Sequence, residues 1–194
     1  MTDAEQAKLR YCLGCGEEVP TYTVAVGNQV EVRCAYCGFT VELVEPAFDA
    51  VIKCVVLADD DLLFRRLFVD ILVQQKLAKE VIAHHSGPAL LTECARRFRG
   101  QHPISLVILD ILMAPMDGRA VALALRALEK GFDLSTPVPI LFLSAVRADD
   151  SVRRMMEECA PAIYLNKGKD VASSQLGQRV RDIMPRVLKS AKTG

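Results

Sequence analysis

The sequence predicts an α/β protein whose main body is a doubly wound, five-stranded parallel sheet in the order 2-1-3-4-5, preceded by a small β module. Three observations predict it. From Val51 onward, apolar runs alternate with amphipathic stretches five times, the pattern of a parallel sheet covered by helices on both faces. Four of the apolar runs end on polar or charged residues: Asp59 and Asp60, Asp110, Ser144 and Lys167. Near the start, Cys12 and Cys15 form one Cys-x2-Cys-Gly unit, and Cys34 and Cys37 form another.

A chain of 194 residues holds one domain of ordinary size plus a small appendage. Hydrophobic content of 51% supplies a core, and 25% charged residues with a net charge of zero argue against disorder. The first ten residues contain no apolar segment, and no later run approaches the roughly 20 residues of a membrane span. A cytoplasmic location is therefore expected. In that reducing compartment, metal ligation is the expected use of clustered cysteines.

The first module is expected over residues 10–44. Thr21–Val26 and Val30–Arg33 alternate around Gly27-Asn28-Gln29 as a hairpin, and Phe39–Leu43 supplies a third strand. Each Cys-x2-Cys knuckle turns two thiolates toward one point, and the glycine that follows tolerates the backbone conformation this needs. Two knuckles complete a tetrahedron. About 35 residues bury too little apolar surface to be stable alone, so a zinc ion on Cys12, Cys15, Cys34 and Cys37 would supply the missing folding energy. The pattern reads as a zinc ribbon, with rubredoxin-like iron and disulfide pairing as the alternatives.

Residues 1–45 carry three basic against seven acidic side chains, a net of −4, which leaves +4 for the remainder. Phosphate neutralisation needs Lys and Arg, so this charge argues against nucleic acid and for protein docking. Glu45–Ala50 forms a short linker.

In the body, residues 51–190, the pattern places strands near 52–58, 80–84, 104–109, 138–143 and 161–165. Helices are expected near 62–78, 88–99, 118–130, 149–158 and 171–189. In the order 2-1-3-4-5, the first and third strands diverge at a switch point, beneath a crevice bearing Asp59, Asp60 and Asp110. Three crowded carboxylates repel one another unless a cation lies between them, and oxygen ligands select a hard ion such as magnesium.

Residues 51–190 resemble the receiver domain of two-component response regulators, a flavodoxin-like fold. The resemblance rests on the acidic pair before Asp61-Leu-Leu-Phe-Arg-Arg-Leu67, the run Leu109-Asp110-Ile-Leu-Met-Ala-Pro-Met-Asp117-Gly118, Ser144-Ala145, and Tyr164-Leu-Asn-Lys167. It implies that a histidine kinase or phosphotransfer protein passes a phosphoryl group to Asp110. It implies magnesium on Asp59, Asp60 and Asp110, with Lys167 and Ser144 on the phosphoryl oxygens. It also implies that Ser144 and Tyr164 switch the surface of the fourth helix, fifth strand and fifth helix. Gly168 replaces the proline usual after the lysine, so no cis bond is expected there. Pro115 is displaced by one position, and residues 131–139 make a longer lead into the fourth strand than in many receivers. Leu112 and Val146, each two residues past a site position, are expected to shield an acyl phosphate from water.

Other residues receive ordinary roles. His84, His85 and His102 read as surface or packing residues, and Cys54, Cys94 and Cys159 as buried small hydrophobes. Arg179, Arg181, Arg186, Lys189 and Lys192 stand against Asp182 alone. That helix is expected to be a solvated face, and if it binds anything, an acidic surface such as the zinc module of another copy suits it, which would make a homodimer.

The chain ends with the fifth helix, so output is expected to pass through contacts with a downstream protein. One competing function is a transcription or RNA regulator controlled by the receiver, or by a pseudo-receiver that has lost the chemistry. Another is an aspartate-nucleophile phosphatase, for which Ile111 and Leu112 leave no second carboxylate at the needed spacing. No enzymatic activity is expected beyond the phosphorylation and dephosphorylation of the chain itself.

Overall fold

Two sheets form, one for each part of the sequence pattern. The computed structural model describes residues 9–26, 29–42, 51–145, 147–168 and 173–190. The first sheet is antiparallel, in the order β1-β2-β3-β4, from Leu9–Cys12 (β1), Glu17–Val26 (β2), Gln29–Cys34 (β3) and Thr40–Glu42 (β4). The turn after β1 closes with Gly16 N–H on Cys12 O at 2.7 Å, and the turn after β3 with Gly38 N–H on Cys34 O at 3.0 Å. Gly16 and Gly38 adopt φ of 75° and 72°, the left-handed region that glycine enters without steric cost.

The expected hairpin and third strand are present, but the sheet has a fourth strand. Leu9–Cys12 pairs with an extension of β2 back to Glu17. Four residues of mixed polarity carry no readable alternation; the knuckle between them supplies the pairing. The hairpin residues Gly27 and Asn28 and the linker 45–50 lie outside the described residues.

The body alternates strand and helix: β5 (Ile52–Ala58), α1 (Leu62–Gln74), β6 (Ala78–His84), α2 (Gly87–Arg99), β7 (Leu106–Asp110), α3 (Gly118–Gly131), β8 (Ile140–Ser144), α4 (Asp150–Glu158), β9 (Ala162–Asn166) and α5 (Ser173–Ser190). The parallel sheet runs β6-β5-β7-β8-β9, which is the order 2-1-3-4-5. Every residue of β7 and β8 is buried, and in β5 only Lys53 is exposed, as expected for strands with helices on both faces. Among the described residues, no helix is long and apolar enough to cross a membrane.

Helix starts follow side-chain chemistry. Asp61 accepts from the N–H groups of Leu63 and Phe64, Asp117 from Ala120, and Asp149 from Ser151 and Val152, satisfying otherwise orphaned donors. The first helix stops at Gln74, short of the expected 78. Lys76 turns the chain at φ 54° and Leu77 N–H bonds Leu72 O at 2.9 Å. No glycine or proline marks that reversal, and Leu77 continues the apolar periodicity because it is buried in the turn itself.

The small module packs against α4, β9 and α5. Arg153 donates to the carbonyls of Ala35 and Tyr36, Arg179 to those of Leu13 and Gly14, and Arg186 to that of Thr40. Arg147 pairs with Glu17 at 2.9 Å and stacks on Tyr36. The expectation of a solvated α5 face is thus corrected for Arg179 and Arg186. The acidic module that suits them is the chain's own.

Candidate functional site

The site lies at the carboxyl edge of the parallel sheet. Asp110 is the last residue of β7 and Ser144 the last of β8, while Asp59 follows β5 and Lys167 follows β9. Pairing sets Asp110 opposite Leu143 and Ser144 opposite Asn166, so the four positions converge at one end. The order of strands also puts β5 beside β7, which brings the acidic groups together.

One carboxylate oxygen from each of Asp59, Asp60 and Asp110 lies within 4.8 Å of the other two. Asp59 and Asp110 are buried and Asp60 is exposed. Lys167 Nζ bridges the two buried carboxylates, at 2.8 Å from Asp59 Oδ2 and 2.9 Å from Asp110 Oδ2. Burial pushes the Asp59 carboxyl above the ordinary carboxylate range, against the pull of Lys167, and Asp110 adds to the rise. Among the described residues, Lys167 is the one ion-pair partner of these carboxylates, and a divalent ion would offset the remaining negative charge. The all-oxygen donor set fits magnesium.

Local structure fixes each group. Asp59 Oδ1 accepts from Asp61 N–H at 2.9 Å, and Asp59 O accepts from Arg65 at 2.6 Å. The Lys167 ammonium lies 4.2 Å from the centre of the Phe64 ring, and its backbone N–H donates to Ser144 O at 2.7 Å. Ser144 is buried at the strand end. Tyr164 is 1% exposed, its hydroxyl accepts from Asn166 Nδ2 at 2.8 Å, and burial pushes its pKa up to about 12.

Leu112 is 59% exposed beside Asp110, and Val146 lies outside the described residues. Cis bonds precede Pro115 and Pro161; the Lys167–Gly168 bond is not cis, as expected. His84 ends β6 at the same carboxyl edge, where its carbonyl accepts from Asp59 N–H at 3.2 Å; His85 follows it, and His102 follows α2.

Phe64, Arg65 and Asn166 were not singled out by sequence. Phe64 had a readable signal, an aromatic residue in the first helical turn after the acidic pair. Arg65 bonds a main-chain carbonyl, and Asn166 uses its own main-chain N–H as well as its side chain; sequence does not mark main-chain partners.

The four cysteines of the small module converge on a second site. Cys12 Sγ lies 3.5 Å from Cys37 Sγ, Cys15 Sγ lies 3.8 Å from Cys34 Sγ, and all four sulfurs lie within 4.8 Å of one another. A zinc–sulfur bond of about 2.3 Å gives a tetrahedral edge of about 3.8 Å, whereas a disulfide needs about 2.05 Å. The backbone N–H groups of Cys15, Tyr36 and Cys37 point at sulfur, as donors around a bound thiolate do. The cluster fits zinc.

No protein-family model matches the chain, and no curated protein matches it. Solved structures do. The receiver domain of the histidine kinase CKI1 from Arabidopsis thaliana, complexed with Mg2+ and BeF3−, is similar over 69% of this chain and 90% of that one, at 22% identity and a TM-score of 0.56. The phosphorylated cyanobacterial phytochrome response regulator RcpA is similar over 73% and 97%, at 22% identity and a TM-score of 0.57. A two-component response regulator from Cytophaga hutchinsonii is similar over 70% and 99%, at 17% identity and a TM-score of 0.55. The larger sheet and its helices therefore have the receiver fold.

Proposed function

We propose that this chain is a two-component response regulator that takes a phosphoryl group on Asp110 from a histidine kinase or phosphotransfer protein. One observation carries the reading: Asp59, Asp60 and Asp110 converge while Lys167 bridges Asp59 and Asp110. A chance loop charge does not make that constellation.

The chemistry follows from the side chains. A carboxylate oxygen of Asp110 attacks phosphorus, the phosphorus–nitrogen bond of the donor phosphohistidine breaks, and the imidazole leaves as its neutral form after taking up a proton. Asp59, Asp60 and Asp110 would hold a magnesium ion, and that ion would supply positive charge against the phosphoryl oxygens. Lys167 exchanges its contact with Asp110 for one of those oxygens, and the Ser144 hydroxyl donates to another. The bound Mg2+ and BeF3− of the CKI1 receiver support this assignment. Tyr164, beneath the strand end, responds to movement of Ser144.

The proposed donor and output contacts are with proteins. Leu62, Leu63 and Leu112 are exposed beside the site and suit a donor's apolar surface. On the small module, Leu9, Tyr11, Tyr22 and Val26 are exposed, which supports docking of a downstream protein there. The arginines Arg153, Arg179 and Arg186 face the module rather than a phosphate backbone, which favours this reading over nucleic-acid binding. No catalysis on other substrates is proposed.

Incubation with magnesium and acetyl phosphate, read by intact mass, tests the proposal. The expected result is a gain of one phosphoryl group that Asp110→Ala abolishes. A gain that survives Asp110→Ala, or none with any phosphodonor, overturns it.

A further inference from the structure

The cysteine cluster and the carboxylate site meet on one short stretch of chain at the end of β9. The Asn166 N–H donates to Gly14 O at 2.6 Å, inside the turn between Cys12 and Cys15. The next residue, Lys167, sends its N–H to Ser144 O and its ammonium to Asp59 and Asp110. Asn166 also holds the Tyr164 hydroxyl, and its Oδ1 accepts from Gly168 N–H at 2.7 Å. Two adjacent residues thus carry a contact to each site.

The module is gripped through its main chain. Arg153, Arg179 and Arg186 address the carbonyls of Leu13, Gly14, Ala35, Tyr36 and Thr40. The first four belong to the two knuckles, whose backbone the thiolates shape. Arg179 is nearly buried under the first knuckle, and a guanidinium buried without acceptors is costly. Close fit adds to the grip, since a side chain at position 14 would meet Tyr164 O at 3.0 Å. Recognition of carbonyls depends on where the knuckles put them, and metal binding sets that placement.

We propose that metal loading of Cys12, Cys15, Cys34 and Cys37 is coupled to occupancy of the Asp110 pocket through Asn166 and Lys167. The docked module holds β9 so that Lys167 is placed for the phosphoryl oxygens. Coupling between two binding sites is reciprocal, so a ligand in the pocket tightens the module's hold on its metal. One arm of the test rests on the phosphoacceptor reading; the other does not.

The full chain is prepared with zinc and, separately, stripped by a chelator that is then removed. Beryllofluoride with magnesium is titrated into both, and amide hydrogen exchange is followed over 162–168. Zinc-loaded protein is expected to bind beryllofluoride at least about fivefold more tightly, within the usual range of coupled sites, and Asn166 N–H is expected to exchange faster after stripping. Equal affinities overturn the coupling. Binding to neither form overturns the phosphoacceptor reading instead, and exchange then decides: an Asn166 amide unaffected by stripping overturns the coupling. Arg179→Met separates the grip from the metal. It is expected to keep its zinc yet bind beryllofluoride more weakly, and wild-type affinity in this variant overturns the route through β9.

Discussion

Lys167 Nζ lies 2.9 Å from Asp110 Oδ2 and neutralises part of the carboxylate charge that would otherwise draw a metal cation. On the proposed function, the lysine would compete with magnesium for the carboxylates and pair with the oxygens of an incoming phosphoryl group. Lys167→Met is expected to bind magnesium more tightly than wild type. It is also expected to take up phosphoryl from acetyl phosphate roughly 100-fold more slowly, as when one charge-stabilising donor is removed. Magnesium titration and a mass time course check both directions; weaker magnesium binding contradicts the competition.

Asp59 gives a pH dependence. Its carboxyl is held above the ordinary carboxylate range by burial, so the folded chain binds a proton that the unfolded chain has already released. Stability without metal therefore falls as pH rises from the usual carboxylate value through the raised one, and stays lower at neutral pH. Asp59→Asn is expected to raise the metal-free Tm at neutral pH, to flatten that slope and to remove stabilisation by magnesium. Melts across the acidic range, with and without magnesium, check this; an unchanged slope contradicts it.

Gly118 is fixed by space. A Cβ at this position would lie 2.3 Å from Asp110 O and 2.9 Å from Ile111 Cα, both main-chain atoms. Gly118→Ala must move the loop that follows Asp110. Overpacking of this kind costs about 1–3 kcal/mol, or a loss of several degrees in Tm. Magnesium affinity is expected to fall with it, because Asp110 shifts.

Leu112 stands two residues past Asp110, and its N–H reaches Asp110 Oδ1 at 3.4 Å. An apolar side chain there is expected to keep water from an acyl phosphate on Asp110. Leu112→Asn is expected to shorten the phosphoryl lifetime several-fold, measured by decay of the phosphorylated mass in magnesium. An unchanged decay rate removes the shield.

The thiols divide into two groups. Zinc removal is expected to make Cys12, Cys15, Cys34 and Cys37 reactive toward a thiol reagent. Cys54, Cys94 and Cys159 are at most 2% exposed and stay protected while the body is folded. Burial pushes the Cys54 thiol up to about 11 and the Cys94 thiol up to about 12, which slows them further. Rebinding of zinc is expected to release protons, as thiols become ligating thiolates. Seven reactive thiols after gentle stripping would show instead that the body opens with the module.

The parallel sheet was legible because strands buried on both faces are written as uninterrupted apolar runs, and Asp59, Asp110, Ser144 and Lys167 stand out at their ends. The cysteine knuckles were legible from spacing alone. The docking of one part on the other was not, since Arg153, Arg179 and Arg186 bind carbonyl oxygens, and a carbonyl has no residue identity. Arg179 therefore looked like any solvated helix charge. Asn166 was hidden for the same reason: its link to Gly14 is made by backbone on both sides. The end of α1 was missed because Lys76 makes a left-handed turn without a glycine.

Reductive trapping identifies the residue that carries the phosphoryl group. After reaction with magnesium and a phosphodonor, borohydride reduces an aspartyl phosphate to homoserine, and peptide sequencing locates it. Homoserine is expected at position 110 alone. A phosphoryl group found on a serine, a histidine or another aspartate, with residue 110 recovered as aspartate, would contradict it.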